Sequence, residues 1–189
     1  MKKKIVKLIK ERIINPVLHS RDPVSEVSLG VAVGVFLGLT PTVGVQMYLV
    51  VFVWSIYRYL FHRHFNLPVG VAMVWISNPL TMVPLYYLFL VTGYWLLETK
   101  NGLSYEHFSE ILTRVSETGE TWEIIIEGAR FLLIDLGWPM IIGGFVYAVP
   151  GFVFSYFVTI HFVTSHRKNM ARIAGMSYED WQSENENQH

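Results

Sequence analysis

The sequence predicts an all-α fold, that of a polytopic integral membrane protein whose helices are broken within their apolar stretches. Three observations lead there. Charged residues make up 16% of the 189, against 52% hydrophobic ones, where ordinary soluble domains carry roughly 25% charge. The charges are also segregated: residues 27–97 hold only Arg58 and Arg63, and residues 131–163 only Asp135. Finally, each apolar region is interrupted by proline and glycine, most conspicuously at Thr40-Pro41 and Asn78-Pro79. Proline removes an amide donor and disfavours helix in the residue before it. In hydrocarbon the released backbone groups need protein or water around them.

The chain divides into five stretches. Residues 1–21 are a basic segment in which Ile5, Leu8, Ile9 and Ile13 share one helical face, with Lys3, Lys7, Lys10 and Glu11 largely opposite. Such a helix either lies on an anionic membrane surface or serves as a solubilising tail that fixes orientation. No apolar run of signal-peptide type precedes residue 27.

Residues 22–97 form the expected membrane core. Asp22-Pro23 reads as an N-cap with proline at N1. The first apolar region, about Val27 to Tyr57, carries Gly30, Gly34 and Gly38 on one helix face, a spacing that lets another backbone approach closely. As one helix it would be about 46 Å long, too long for a hydrocarbon core of about 30 Å. It therefore reads as two helices of unequal length, broken at Thr40-Pro41-Thr42-Val43-Gly44, forming either a re-entrant hairpin or two short crossings. Residues 58–66, with Arg58, His62, Arg63 and His64, read as an interfacial connector. The histidines are two apart and lack a third ligand, so no metal site is expected. The second apolar region, Leu67 to Leu97, is expected to break at Asn78-Pro79 and again at Pro84.

Residues 98–130 are acidic, with seven Glu against three Lys/Arg. Phe108, Ile111, Leu112 and Val115 mark an amphipathic helix over 104–117. Residues 131–163 form the third apolar region, broken at Gly137-Trp138-Pro139, Gly143-Gly144 and Pro150-Gly151, with Gly144 and Ala148 offering a second small-residue face. The polar tail, 164–189, starts basic and ends acidic. The Lys/Arg bias places the N-terminus in the cytoplasm.

Candidate chemistry sits at the two polar-proline breaks. In each, a polar residue can cap a helix whose first position is proline. Each pair therefore predicts a helix start inside the membrane, where backbone amides and about half a positive charge face outward and favour an anion or a lipid phosphate. Thr40, Thr42, Gln46, Ser77, Asn78 and Thr81 are the candidate binding residues; Pro41, Gly44, Pro79 and Pro84 are the helix-break residues; and Gly30, Gly34, Gly38 and Gly144 the packing residues. The competing reading makes each break a capped structural kink. No hydrolase, phosphate-loop or zinc-protease motif occurs in the apolar regions, so neither enzymatic activity nor a cofactor is expected. The absence of cysteine excludes thiolate chemistry.

These residues also carry a resemblance. Pro23, Val27, Ser28, Gly30, Ala32, Gly34, Phe36, Pro41, Gly44 and Gln46, then Asn66 and Pro68, then Ile76 to Thr81, Pro84 to Tyr87 and Gly93 resemble the pattern of the bacterial domain of unknown function 2062. The likeness runs from about Asp22 to Leu97 and resumes near 131–160, leaving 98–130 unmatched. It implies a small multi-pass protein of the bacterial inner membrane. Relatives fused to glycosyltransferase-like domains imply a link to envelope glycan or lipid metabolism, and an envelope glycosyltransferase or similar enzyme as a partner. The resemblance supplies no activity. The function expected is binding or translocation of an anionic, phosphate-headed lipid or lipid-linked envelope intermediate. The alternative is a non-transporting scaffold or assembly factor for an envelope enzyme. Membrane lipids are the expected partners, nucleic acid is not, and the glycine faces leave homo-oligomerisation open.

Overall fold

The structure, a computed structural model, describes residues 15–18, 20–42, 45–77, 79–98 and 137–186. The expected helices at 2–14 and 104–117, and Asp135, lie outside these residues. Among the described residues all regular structure is helical. In order, the elements are α1 (Asn15–Leu18), α2 (Val24–Gly38), α3 (Gln46–Phe61), α4 (Leu67–Met73) with a 3₁₀ turn at Val74–Ile76, α5 (Pro79–Leu96), α6 (Gly137–Ile173) and α7 (Tyr178–Glu186). The chain forms two compact units. The first comprises Met1–Gly38, Thr42–Trp75 and Pro150–His189, the second Leu39–Pro41 and Ile76–Val149.

In the first unit α2 is the central element. From Leu29 onward it is apolar on every side, as a helix enclosed by neighbours must be, and Val27, Ser28, Gly30 to Val35, Leu37 and Gly38 are all buried. Its chief partner is α4. A Cβ on Gly30 would lie 2.5 Å from the Asn66 carbonyl oxygen, and one on Gly34 would overlap the Gly70 carbonyl and the Met73 Cβ. The four-residue glycine spacing thus sets two backbones in contact. Val33, Leu37, Val50, Phe65 and Val74 form the core around this contact, with Phe36 edge-on to Phe152.

In the second unit Tyr86, Phe89 and Leu90 of α5 form the core with Leu39, Met140 and Tyr147 beside them. The Phe89 ring stacks on Tyr86 and on Tyr147. A Cβ on Gly93 would overlap the backbone of Pro139, and one on Gly143 the backbone of Phe89. The start of α6 therefore touches α5 backbone to backbone at Pro139 and Gly143, two of the positions expected to break the third apolar region. Gly144 faces Leu39 and Pro41, where an added Cβ would sit 3.2 Å from the Leu39 carbonyl oxygen.

Several expectations need correction. The two helices of the first apolar region are nearly equal, 15 and 16 residues. Pro23 is not at N1: its carbonyl accepts from the amides of Glu26 and Val27 at 2.9 and 3.1 Å, which places it at the helix boundary. Residues 58–61 are helical, so the connector shrinks to His62–Asn66. Pro84 does not break α5 and Pro150 does not break α6. A single proline removes one helical hydrogen bond, leaving one carbonyl four residues back to be satisfied otherwise, and apolar helices supported by neighbours tolerate that loss. Gly137, Pro139, Gly143, Gly144 and Gly151 likewise lie inside the continuous α6. That helix stops at Gly175, whose φ of 70° is left-handed. The amides of Gly175 and Met176 return to the carbonyls of Arg172 and Ala171 at 3.2 and 3.0 Å, a hydrogen-bonded glycine stop.

Among the described residues, α6 is the helix long and apolar enough to cross a membrane, and 17% of its most apolar window is buried. A core helix of the same composition would be mostly covered. Leu67–Ile76 and Thr81–Leu96 reach that length and composition only when taken together as one interrupted stretch.

Candidate functional site

The first polar-proline break differs from its expected form. No helix starts at Pro41. Thr40 and Pro41 lie in the turn that follows α2, and the next helix begins at Gln46. The Thr42 carbonyl accepts from the Val45 amide at 3.3 Å, so the chain makes a further turn before helical geometry resumes. Val45 occupies the N-cap position of α3 with φ −107° and ψ −5°, and gives the helix no side-chain hydrogen bond. Gln46, the first helical residue, is buried. Gly44 lies outside the described residues.

At the second break, α5 begins at Pro79. There the missing amide is one of the donors that a helix start leaves unbonded within the helix. Asn78 lies outside the described residues. Ser77 is partly buried in a bend after the 3₁₀ turn. The Thr81 hydroxyl donates to the Ile76 carbonyl at 2.8 Å, bridging the interruption with a local bond. In the same unit the Thr40 side chain is buried and its carbonyl accepts a long 3.5 Å hydrogen bond from the Tyr86 hydroxyl. Of the candidate residues, Thr42 and Gln46 belong to the first unit and Thr40, Ser77 and Thr81 to the second.

The most fully developed polar cluster surrounds Asn66 in the first unit. Asn66 stands before Leu67-Pro68, with an extended backbone (φ −63°, ψ 99°) suited to an N-cap. Its Oδ1 accepts from the Val69 amide at 2.8 Å, and its Nδ2 donates to Ser20 Oγ at 2.9 Å and to Asp22 Oδ2 at 2.6 Å. Its backbone amide donates to the Glu26 carbonyl at 3.1 Å. Arg167, 2% exposed, donates through Nη2 to the carbonyls of Ser20 and Asp22, both at 2.8 Å. Asp22, read from sequence as a helix cap, therefore holds Asn66 instead. His64 Nε2 lies 3.0 Å from Glu26 Oε2. Asn66 carries a sequence signal as an Asn-x-Pro pattern and Asp22 as an Asp-Pro pair, but neither points to the other or to Arg167. The arrangement locks three segments together.

A second group sits at the other end of α3. Trp54 is pinned by its Nε1–H to the Phe65 carbonyl at 3.0 Å, and the Arg58 guanidinium lies over its ring, 5.2 Å from the centroid. The helix closes at His62, left-handed with φ 52°, whose amide donates to the Arg58 carbonyl at 3.1 Å. The sequence offered the residue types but put Arg58 in a loop, where no fixed relation to Trp54 follows.

Neither a curated protein nor a solved structure is similar to this chain. The family pattern read from Pro23 to Gly93 has a wider extent in the full comparison, which takes in 98–130 as well. From residue 6 to residue 172 the chain matches, and belongs to, the family described as uncharacterized protein conserved in bacteria, DUF2062.

Proposed function

We propose that this chain is a multi-pass protein of the bacterial inner membrane, N-terminus inside, that binds or translocates an anionic, phosphate-headed lipid or lipid-linked envelope intermediate. The carrying observation is the start of α3. It follows the polar turn Thr40-Pro41-Thr42, places Gln46 at the first helical position and has Val45, a residue without a capping group, before it. An anion at a helix N-terminus gains about 0.3–1 kcal/mol when exposed and up to about 2 kcal/mol when partly buried. The amides there, with Thr42 and Gln46, form one contact region; Ser77, Asn78 and Thr81 beside the start of α5 form another. The largely uncovered apolar surface of α6 supports the membrane setting.

The same uncovered surface favours a second reading, a scaffold for an envelope enzyme, in which α6 seats a partner protein. One experiment separates them. The protein is extracted gently from its own membranes and weighed by native mass spectrometry beside Gln46→Ala and Asn78→Ala. A stoichiometric anionic lipid, lost in the variants while helicity persists, is the expected result. A co-purifying enzyme with no retained lipid moves the assignment to the scaffold. Lipid retained equally by all three proteins overturns the site.

A further inference from the structure

The geometry points to a separate anionic phospholipid site at the C-terminal end of α3, with the phosphate headgroup at Arg58 and His62 and an acyl chain along the exposed face of the helix. It rests on the membrane setting above but not on the polar breaks. An open concavity of about 770 Å³ is lined by Trp54, Ser55, Arg58, Tyr59, Leu60 and His62, all of the first unit. Its charge is one-sided. No Asp or Glu occurs between residues 27 and 97, Arg63 follows His62 in the chain, and the nearby Glu26 carboxylate is directed to His64. The Arg58 guanidinium is held over Trp54, and that ring is itself fixed to Phe65. The cation is therefore positioned before a ligand arrives, with its hydrogen-bond fork suited to phosphate oxygens. Ser55 and Tyr59 add hydroxyls, although Ser55 donates its own proton to the Val51 carbonyl at 2.8 Å and would act as an acceptor.

The C-terminus of a helix carries partial negative charge and opposes an anion. Here one terminal carbonyl, that of Arg58, is already bonded to the His62 amide. Attraction must come from the side chains, which makes it removable by substitution.

The apolar half of the ligand follows from the same helix. Tyr48, Phe52 and Tyr59 are exposed at 76%, 61% and 82%, and spacings of four and seven residues put them on one face that ends at the concavity. From Tyr48 to Tyr59 that face is about 17 Å long, close to one leaflet's share, about 15 Å, of the hydrocarbon core. A free phosphate would use Arg58 and His62 and leave this face unfilled. A lipid uses both.

The test is native mass spectrometry of the full chain in detergent, titrated separately with phosphatidylglycerol and phosphatidylcholine. The variants are Arg58→Gln with His62→Gln, made both in the wild-type chain and in Gln46→Ala, which removes the polar-break site. Wild type should bind the first phosphatidylglycerol in preference to phosphatidylcholine. In the Gln46→Ala background, where the polar break holds no lipid, the double variant should weaken phosphatidylglycerol binding by about tenfold with phosphatidylcholine unchanged. Circular dichroism confirms that the double variant keeps its helicity. Equal binding of the two lipids by wild type overturns the site, as does an unchanged preference in the double variant made in Gln46→Ala. Loss of the preference in Gln46→Ala alone assigns the lipid to the polar break instead. Displacement of phosphatidylglycerol by inorganic phosphate at similar concentration shows that the acyl chain adds nothing and overturns the lipid assignment.

Discussion

Two helix starts in the first unit are built in opposite ways. At α4, Asn66 supplies an N-cap, and its remaining donors are bound by Ser20, Asp22 and Glu26, with Arg167 closing over the Ser20 and Asp22 carbonyls. At α3, Val45 supplies no cap and Gln46 follows. The start of α3 lies within apolar sequence, where an unsatisfied backbone group is costly, and that of α4 follows the basic connector. The start of α4 is closed by a side-chain cap and that of α3 has none, and the proposed ligand site belongs to α3. This contrast is useful because each side can be altered independently.

The largest effect is expected at Arg167. Arg167→Met removes a buried cation that satisfies two carbonyls, a loss of about 3 kcal/mol, read as a fall of roughly 6–12 °C in the Tm of the detergent-solubilised protein. An unchanged Tm would mean that the Asn66 cluster does not hold the unit together. Next comes Asn66→Ala, which loses the cap at about 1–2 kcal/mol and leaves the Asp22 carboxylate without its amide donor. Asn66→Asp preserves the cap but sets a second carboxylate against Asp22, so it should destabilise more than alanine does. If aspartate is the milder change, Asp22 is not where the contrast requires it to be.

Gly30→Ala puts a methyl group against the Asn66 carbonyl and should cost about 1–3 kcal/mol by overpacking, seen in denaturant or thermal melts. At α3 the stability effects shrink and the ligand effects grow. Gln46→Ala should cost about 1 kcal/mol while removing the lipid held at the start of α3; retention of that lipid in the variant would erase the distinction between the two starts. The smallest expected change is Val45→Ser. Its backbone is not in the extended form favoured at an N-cap, so the gain in stability should be near the low end, about 0.5 kcal/mol. The new hydroxyl competes for the same amides, and lipid retention should fall as stability rises.

How much of this was legible in the sequence depends on the range over which each interaction acts. The glycines at 30 and 34 could be read because helical periodicity alone puts them on one face. The interruption after Gly38 could be read from Thr40-Pro41, but not its length: a proline marks where a helix stops more firmly than where the next one begins, and helical geometry resumes only at Gln46. Pro84 and Pro150 misled for the same reason, since one missing amide does not outweigh a helix supported along its length. The role of Asn66 was half visible as an Asn-x-Pro pattern. Its partners were not, because no local rule connects Arg167 with Ser20. Gly93 and Gly143 looked like a motif residue and a break, and their shared purpose depends on α5 meeting α6. The polar site remains the least legible part. Its residues are individually ordinary, and Asn78 and Gly44 lie outside the described residues.

The Arg167 contact also has a consequence in time. Arg167 lies 145 residues beyond Asp22, whose carbonyl it holds. At a synthesis rate of about 5–20 residues per second, it leaves the ribosome roughly 7–30 s after its acceptors. For that interval α2 and α4 can meet through their glycines, but the loop before α2 lacks its final clasp. A chain that stalls before Arg167 therefore holds a helix pair whose preceding loop is still open.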